Sequence, residues 1–204
     1  MSFELPIYDD VVAAEKRIRP IIDPTPILRS EVLDEIAGAR LILKAECLQQ
    51  TGSFKLRGAT NRLLQIPEAR REKGVVAFSS GNHAQGVARA ARLLKMPALI
   101  VMPEDAPDVK IDGVRADGAD IRLYNRDTES REDIAAQIAE ERGAVLVPSF
   151  DDPMVIAGQG TSGLELAAQV RDKSEPLNHR ICCAGGGGLI SGLALAWSGA
   201  SADA

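Results

Sequence analysis

Aromatic residues are scarce. Phe, Tyr and Trp make up 3% of the 204 residues, and a protein that stacks single-stranded bases needs more rings than that. No basic tract takes their place. Acids and bases are mixed along the chain, the formal net charge is -5, and no run of Lys and Arg invites a phosphate backbone. No nucleic-acid partner is expected. Long apolar runs are missing too; no stretch reaches the roughly 20 residues that a membrane-spanning helix needs, so no membrane partner is expected. Met1 to Asp10 is acidic and lacks a basic segment followed by an apolar one, which does not read as a signal peptide. Cysteine is rare as well. Cys47, Cys182 and Cys183 form no CxxC pair, and adjacent cysteines rarely bridge each other. They suggest neither a metal site nor a disulfide framework, and they read as reduced thiols of a cytoplasmic protein. A small-molecule partner is what these absences leave.

Ordinary globular material is present: 45% of the residues are hydrophobic, enough for one large α/β domain or two small lobes. Asp9 to Ile22 reads as a helix, with Pro20 interrupting its last turn. Asp23-Pro24-Thr25-Pro26 is an extended connector. A short helix runs from about Ser30 to Ala37 and stops at Gly38, and Leu41-Ile42-Leu43 reads as a strand. Strands are then expected at Val75 to Phe78, Ala98 to Met102, Asp120 to Tyr124, Ala144 to Val147 and Ile181 to Ala184. Helices are expected near Phe54 to Leu64, His83 to Leu94, Val109 to Ala116, Thr128 to Arg142, Val155 to Val170 and Leu189 to Trp197. Thr128 is the expected N-cap of its helix and Gly143 the stop. Apolar strands alternating with amphipathic helices point to a mostly parallel sheet with helices on both faces. The connector after Trp197 leads to no further strand, so the domain is expected to be incomplete; a frayed tail fits the same residues.

Three loops carry candidate chemistry. In Thr51-Gly52-Ser53-Phe54-Lys55-Leu56-Arg57-Gly58, Ser53 can cap the helix that follows, which puts Lys55 in the first turn. The positive end of the helix dipole, together with burial, favours the neutral amine, the form that attacks an aldehyde. A solvated lysine at a helix start fits the same residues. Ser79-Ser80-Gly81-Asn82-His83 follows an apolar strand and precedes a helix. Its hydroxyls, amide and free N–H groups suit a carboxylate, and such loops lie at the ligand-binding edge of open α/β sheets. An ordinary turn with Asn82 as cap is the alternative, and His83 alone means little. Gly185-Gly186-Gly187-Gly188 precedes the last helix, where backbone N–H groups can cradle a phosphate. It is not a Walker loop, because no Lys-Ser/Thr follows. It is a poor dinucleotide motif, because Ile190 and Ser191 stand where GxGxxG needs glycine. An empty glycine turn remains the alternative. Together the loops offer an amine nucleophile, a carboxylate cradle and a phosphate cup, the set that an amino-acid enzyme using pyridoxal phosphate needs.

At this point a family resemblance enters. Thr51 to Ala59 resembles the lysine motif of the threonine/serine dehydratase family, and Ser79-Ser80-Gly81-Asn82-His83-Ala84-Gln85-Gly86-Val87-Ala88 resembles its substrate loop. Met102-Pro103, Ala106-Pro107 and Lys110 match its next segment, and Asp151-Asp152-Pro153 through Ile156-Ala157-Gly158-Gln159-Gly160-Thr161 the one after. Gly185 to Gly188 with Leu189 resembles its phosphate loop. The likeness runs nearly from Asp9 to Ala196 in the family's order. It implies an α/β fold of the tryptophan-synthase-β-like kind, pyridoxal-phosphate fold type II, with two lobes of mostly parallel sheet and flanking helices. Residues 1–74 would be the first part of the large lobe and carry the Schiff-base lysine. Residues 75–147 would be the small mobile lobe, and 148–204 the continuation of the large lobe with the phosphate loop.

The resemblance also implies roles. Lys55 would carry pyridoxal 5'-phosphate and later remove the substrate's α-proton. Phe54 would pack on the cofactor ring, Asn82 would face its hydroxyl, and Gly185, Gly186, Gly187, Gly188 and Leu189 would hold its phosphate. Ser79, Ser80, Gly81, Asn82 and His83 would form the substrate loop, with Ser80 a second candidate catalytic residue. The implied reaction converts L-threonine to 2-oxobutanoate and ammonia, or L-serine to pyruvate and ammonia. Serine racemase and hydroxyaspartate dehydratase are alternatives within the family. An inactive fragment that only binds a partner is the alternative from another class. Family members supply a late Ser or Cys that faces the pyridine nitrogen, and often acidic metal ligands soon after the phosphate loop. Neither is present here, so no metal is expected, the large lobe is expected to be incomplete, and activity of this chain by itself is in question. A homo-oligomer is expected of the completed protein.

Overall fold

The computed structural model describes residues 4–172 and 177–200. The chain opens with α1 (Tyr8–Ile18), which buries Val11, Ala14 and Ile18 at helical spacing. It ends before Pro20, whose ring cannot continue the ladder, and both Ile21 and Ile22 turn their N–H back to the Ile18 carbonyl. β1 (Ile27–Leu28) then pairs antiparallel with β2 (Leu43–Lys44) around α2 (Glu31–Ala37). Ser30 caps α2 through its Oγ, and Gly38 ends it at φ 60°. A 3-10 turn, Glu46–Leu48, leads to α3 (Lys55–Leu64) and the single turn α4 (Glu68–Arg71).

The middle of the chain alternates as the apolar pattern predicts. It runs β3 (Val75–Phe78), α5 (Asn82–Leu93), β4 (Ala98–Pro103), α6 (Asp108–Ala116), β5 (Asp120–Tyr124), α7 (Arg131–Arg142) and β6 (Val145–Leu146). The four strands pair in parallel in the order β5-β4-β3-β6. Successive side chains point to opposite faces of a strand, and the core divides accordingly. Val75, Ala77, Ile100 and Met102 pack with α3, α5 and α6 on one face. Val76, Leu99, Val101 and Tyr124 pack with Ala135 and Ala139 of α7 on the other. Burial of both faces is why β3 and β4 read as continuous apolar runs, while β5, at the sheet edge, alternates. The chain steps outward from β3 to β4 to β5, and β6 then returns to the opposite flank of β3. That reversal opens a crevice at the carboxyl ends of β3 and β6, the place where open α/β sheets bind ligands.

Behind the sheet, α8 (Pro153–Asp172) packs against α1, α3 and α9 (Gly188–Ala200). α8 and α9 approach at backbone distance. A Cβ on Gly192 would fall against the Ile156 carbonyl and 2.6 Å from the Gly160 nitrogen. Arg57, 1% exposed, ties this layer together. It ion-pairs with Glu46 at 2.8 Å and with Glu165 at 2.7 Å, while Lys44 reaches Glu165 at 2.8 Å and the Thr25 carbonyl at 2.7 Å.

Two local expectations are corrected. Ile181 to Ala184 is not a strand. No described strand lies beside it, a strand needs a ladder partner, and Ile181 is 94% exposed. Thr128 is not the N-cap of α7; the helix starts at Arg131, and Ser130 Oγ accepts from Asp133 N at 3.2 Å. Ser130 has the extended backbone that a cap requires, with Glu132 and Asp133 placed to complement the helix dipole. Gly143 ends α7 at φ 66°, as expected. Ser201 to Ala204 lies outside the described residues.

Candidate active site

Lys55 is the first residue of α3. Ser53 does not cap that helix: Phe54 occupies the N-cap position, and the Ser53 hydroxyl is buried without a hydrogen-bond partner among the described residues. The first-turn placement of Lys55 holds nonetheless. Its Nζ donates to the Ser149 carbonyl at 2.7 Å and lies 5.5 Å from the centre of the Phe54 ring. Burial pushes the Lys55 ammonium below the ordinary lysine range, because a desolvated cation is disfavoured. No acid forms an ion pair with it among the described residues. The amine is thus biased toward its nucleophilic form.

The Ser79–His83 loop leads from the carboxyl end of β3 into α5. Ser79 N continues the strand ladder to the Val101 carbonyl at 3.1 Å, and Ser79 Oγ accepts from Gly81 N at 3.2 Å. α5 then lies directly on the start of α3: a Cβ on Gly86 would come within 3.1 Å of the Lys55 carbonyl carbon. Ser80 and Gly81 are half-buried and Asn82 is exposed. His83 faces elsewhere. It is 2% exposed, and its Nε2 pairs with the Val147 carbonyl at 3.1 Å. A carbonyl only accepts, so Nε2 carries a proton. Burial drives its pKa down to about 4, the Val147 carbonyl opposes that, and the charge of Lys55 adds to it. His83 therefore tethers α5 to the segment after β6, and its ring does not face the cleft as a charged group.

The third loop closes the cleft. Phe54, Lys55, Ser149, Phe150, Gly185 to Gly188 and Leu189 line one cavity of about 240 Å3. Gly187 stands at φ 93°, and its carbonyl accepts from Ser191 N at 2.9 Å, which makes it the cap of α9. The N–H groups of Gly188, Leu189 and Ile190 then have no acceptor within the helix and point outward from its positive end. A Cβ on Gly188 would come within 2.7 Å of the Phe150 carbonyl, so the loop and the segment after β6 approach as only glycine permits. The cavity offers an amine, two aromatic rings and a helix N-terminus, which fits a pyridine aldehyde bearing a phosphate.

Ser149, Phe150 and Gln159 also line the cavity, and no motif in the sequence singles them out for that place. Ser149 and Phe150 come to the cleft because β6 pairs beside β3 across a long stretch of chain. The signal for Ser149 and Phe150 in the sequence is their position just before Asp151-Asp152-Pro153, and Gln159 lies in the family-like segment Ile156 to Thr161. Among the described residues, no helix is long and apolar enough to cross a membrane.

Comparison with known proteins agrees with this geometry. Residues 18–203 match the family described as pyridoxal-phosphate dependent enzyme. The L-threo-3-hydroxyaspartate ammonia-lyase of a Pseudomonas species is 50% identical over 98% of this chain and 61% of its own length. Serine racemase of Schizosaccharomyces pombe is 44% identical over 94% of this chain and 58% of its own. The solved structure of maize serine racemase superposes with a TM-score of 0.91 at 40% identity, covering 96% of this chain and 58% of that one. The chain thus spans less than two thirds of the length of these relatives. On both sequence and fold, the chain belongs to the pyridoxal-phosphate-dependent enzymes of fold type II, whose cofactor is pyridoxal 5'-phosphate.

Proposed function

We propose that this chain holds the cofactor and substrate of an enzyme that converts a β-hydroxy-α-amino acid to a 2-oxo acid and ammonia, with L-threonine or L-serine as substrate. The observation that carries the reading is the buried Lys55 amine in one cavity with the Gly185–Leu189 loop. When bound, pyridoxal phosphate supplies the electron sink that makes the substrate's Cα proton removable. Lys55 is the base for that proton, since burial favours its unprotonated form. The Gly188, Leu189 and Ile190 N–H groups hold the phosphate, and Phe54 lies against the ring. Ser79, Ser80 and the N–H groups around Gly81 hold the substrate carboxylate, and the β-hydroxyl leaves as water. Residues 1–74 and 148–204 form one lobe, and 75–147 a second lobe that moves over the substrate. The working protein is a homo-oligomer.

A second reading is favoured by the relative at 50% identity, which acts on L-threo-3-hydroxyaspartate. The two share every step except what the pocket accepts at Cβ. Borohydride reduction after addition of pyridoxal phosphate, followed by peptide mapping, is expected to leave the pyridoxyl group on Lys55. A label on Lys44 or Lys110 instead would overturn the site. Keto-acid release from L-threonine, L-serine and L-threo-3-hydroxyaspartate, assayed side by side, ranks the substrates. Turnover of hydroxyaspartate alone would replace the first reading by the second.

A further inference from the structure

We propose that Lys110 is a positioning residue that turns the Asn82 amide into an obligatory hydrogen-bond donor toward the ring oxygen of bound pyridoxal phosphate. The inference rests on the reading above and adds to it that Asn82, one helical turn before the Gly86 that lies on Lys55, faces that ring oxygen. A primary amide offers an acceptor at one end and donors at the other, and whatever binds one end decides which is left for the ligand. Lys110 Nζ lies 2.7 Å from Asn82 Oδ1. An ammonium group only donates, so the carbonyl end of Asn82 is taken and the NH2 end remains. A ligand atom that meets it must be an acceptor.

Lys110 is itself held in place. Its Nζ also donates to Gln85 Oε1 at 2.9 Å. Asn82 and Gln85 are three residues apart on α5 and so share one face of the helix. The Gln85 amide nitrogen in turn lies over Gly113 of α6, where a Cβ would collide with it. α6 thereby grips both amides of α5 through one cation. Among the described residues no carboxylate forms an ion pair with Lys110. Its charge is shared between two neutral amides, and it polarises the Asn82 N–H bonds toward an anionic partner. The ring oxygen of pyridoxal phosphate, which ionises, is such a partner.

The test titrates pyridoxal phosphate into the parent chain and into Lys110→Met, Lys110→Arg, Asn82→Ala and the Lys110→Met/Asn82→Ala pair. Affinity and the pH dependence of the bound cofactor's visible absorbance are read in each. Lys110→Met is expected to weaken binding roughly tenfold, the effect of losing one charge-assisted hydrogen bond, and to move the absorbance change to higher pH. Lys110→Arg is expected to restore most of both, and Lys110→Met is expected to add nothing once Asn82 is alanine. An equal loss with and without Asn82, or an unmoved absorbance profile in Lys110→Met, overturns the proposal. So does a lowered melting temperature of the cofactor-free Lys110→Met chain with weakened binding that arginine does not rescue, which would make Lys110 a structural tie only. Borohydride labelling of the parent separates this from failure of the underlying reading. No label on Lys55 overturns the cofactor site itself, whereas a label there with unchanged Lys110→Met profiles overturns the role of Lys110 alone.

Discussion

His83 and Lys55 show how burial sorts two basic residues in neighbouring positions. Both are pushed toward their neutral forms, but only Lys55 reaches the cavity. His83 has a consequence for acid stability. Its folded pKa of about 4 lies below the ordinary 6.5, so the unfolded chain binds the extra proton first. Stability from this group is full above about pH 6.5 and falls as the pH drops toward 4, by up to about 3 kcal/mol. Chemical denaturation across that window is expected to show the loss in the parent and a flatter profile in His83→Gln, whose amide still donates to the Val147 carbonyl. Identical slopes in the two proteins would rule out His83 as the source. Ser80 makes a separate prediction. Racemisation needs a proton donor on each face of Cα; if Lys55 serves one face and the Ser80 hydroxyl the other, D-serine should form from L-serine in deuterated water and vanish in Ser80→Ala while keto acid persists. Absence of D-serine from both proteins would remove the racemase alternative.

Among the elements, α8 and α9 depend on contacts that leave no room for a methyl group. Gly192→Ala is expected to lower the unfolding free energy by about 1–3 kcal/mol, because the Ile156 carbonyl and the Gly160 nitrogen are backbone and cannot rotate away. Gly185→Ala, whose new methyl group would meet nothing within 4 Å, is expected to stay within about 0.5 kcal/mol of the parent; equal midpoints for the two variants would contradict this account. The same elements show what a sequence can reveal. Helix ends with local chemistry are legible in it: Ser30 before α2, Gly38 and Gly143 at φ 60° and 66°. β3 and β4 are legible because both their faces are buried. β1 and α4 are not, because two residues after Pro26 and one helical turn after Pro67 carry no periodicity. Ile181 to Ala184 has the composition of a strand, and composition does not supply a ladder partner. In the site, Lys55, the Ser79–His83 loop and the glycine loop are visible as motifs, each with a local reason for its residue types. Ser149 and Phe150 are not, because strand pairing across the chain brings them there.

For the molecule as a whole, the Arg57 cluster joins segments distant in the sequence: the Thr25 connector, the 3-10 turn at Glu46, α3 and α8. Burial works against ionisation of Glu165, but the hydrogen bonds and charges of Arg57 and Lys44 outweigh it and hold the carboxyl below the ordinary glutamate range. Arg57→Met would remove the cation that Glu46 and Glu165 share and leave Glu165 to Lys44, and a loss of about 3–5 kcal/mol is expected in urea denaturation. Glu165→Gln in the same chain is expected to recover part of it; no recovery would mean that lost packing, not an unpaired charge, sets the cost.

The spread of the cavity's walls along the sequence also sets an order of events during synthesis. Phe54 and Lys55 leave the ribosome early, Ser149 and Phe150 later, and Gly185 to Leu189 last. On the proposed reading, the nascent chain has no cup for a phosphate until that last loop has emerged, and Lys55 lacks the burial that favours its neutral amine. Cofactor capture would then be a late event, reporting that distant stretches of the polypeptide have found one another.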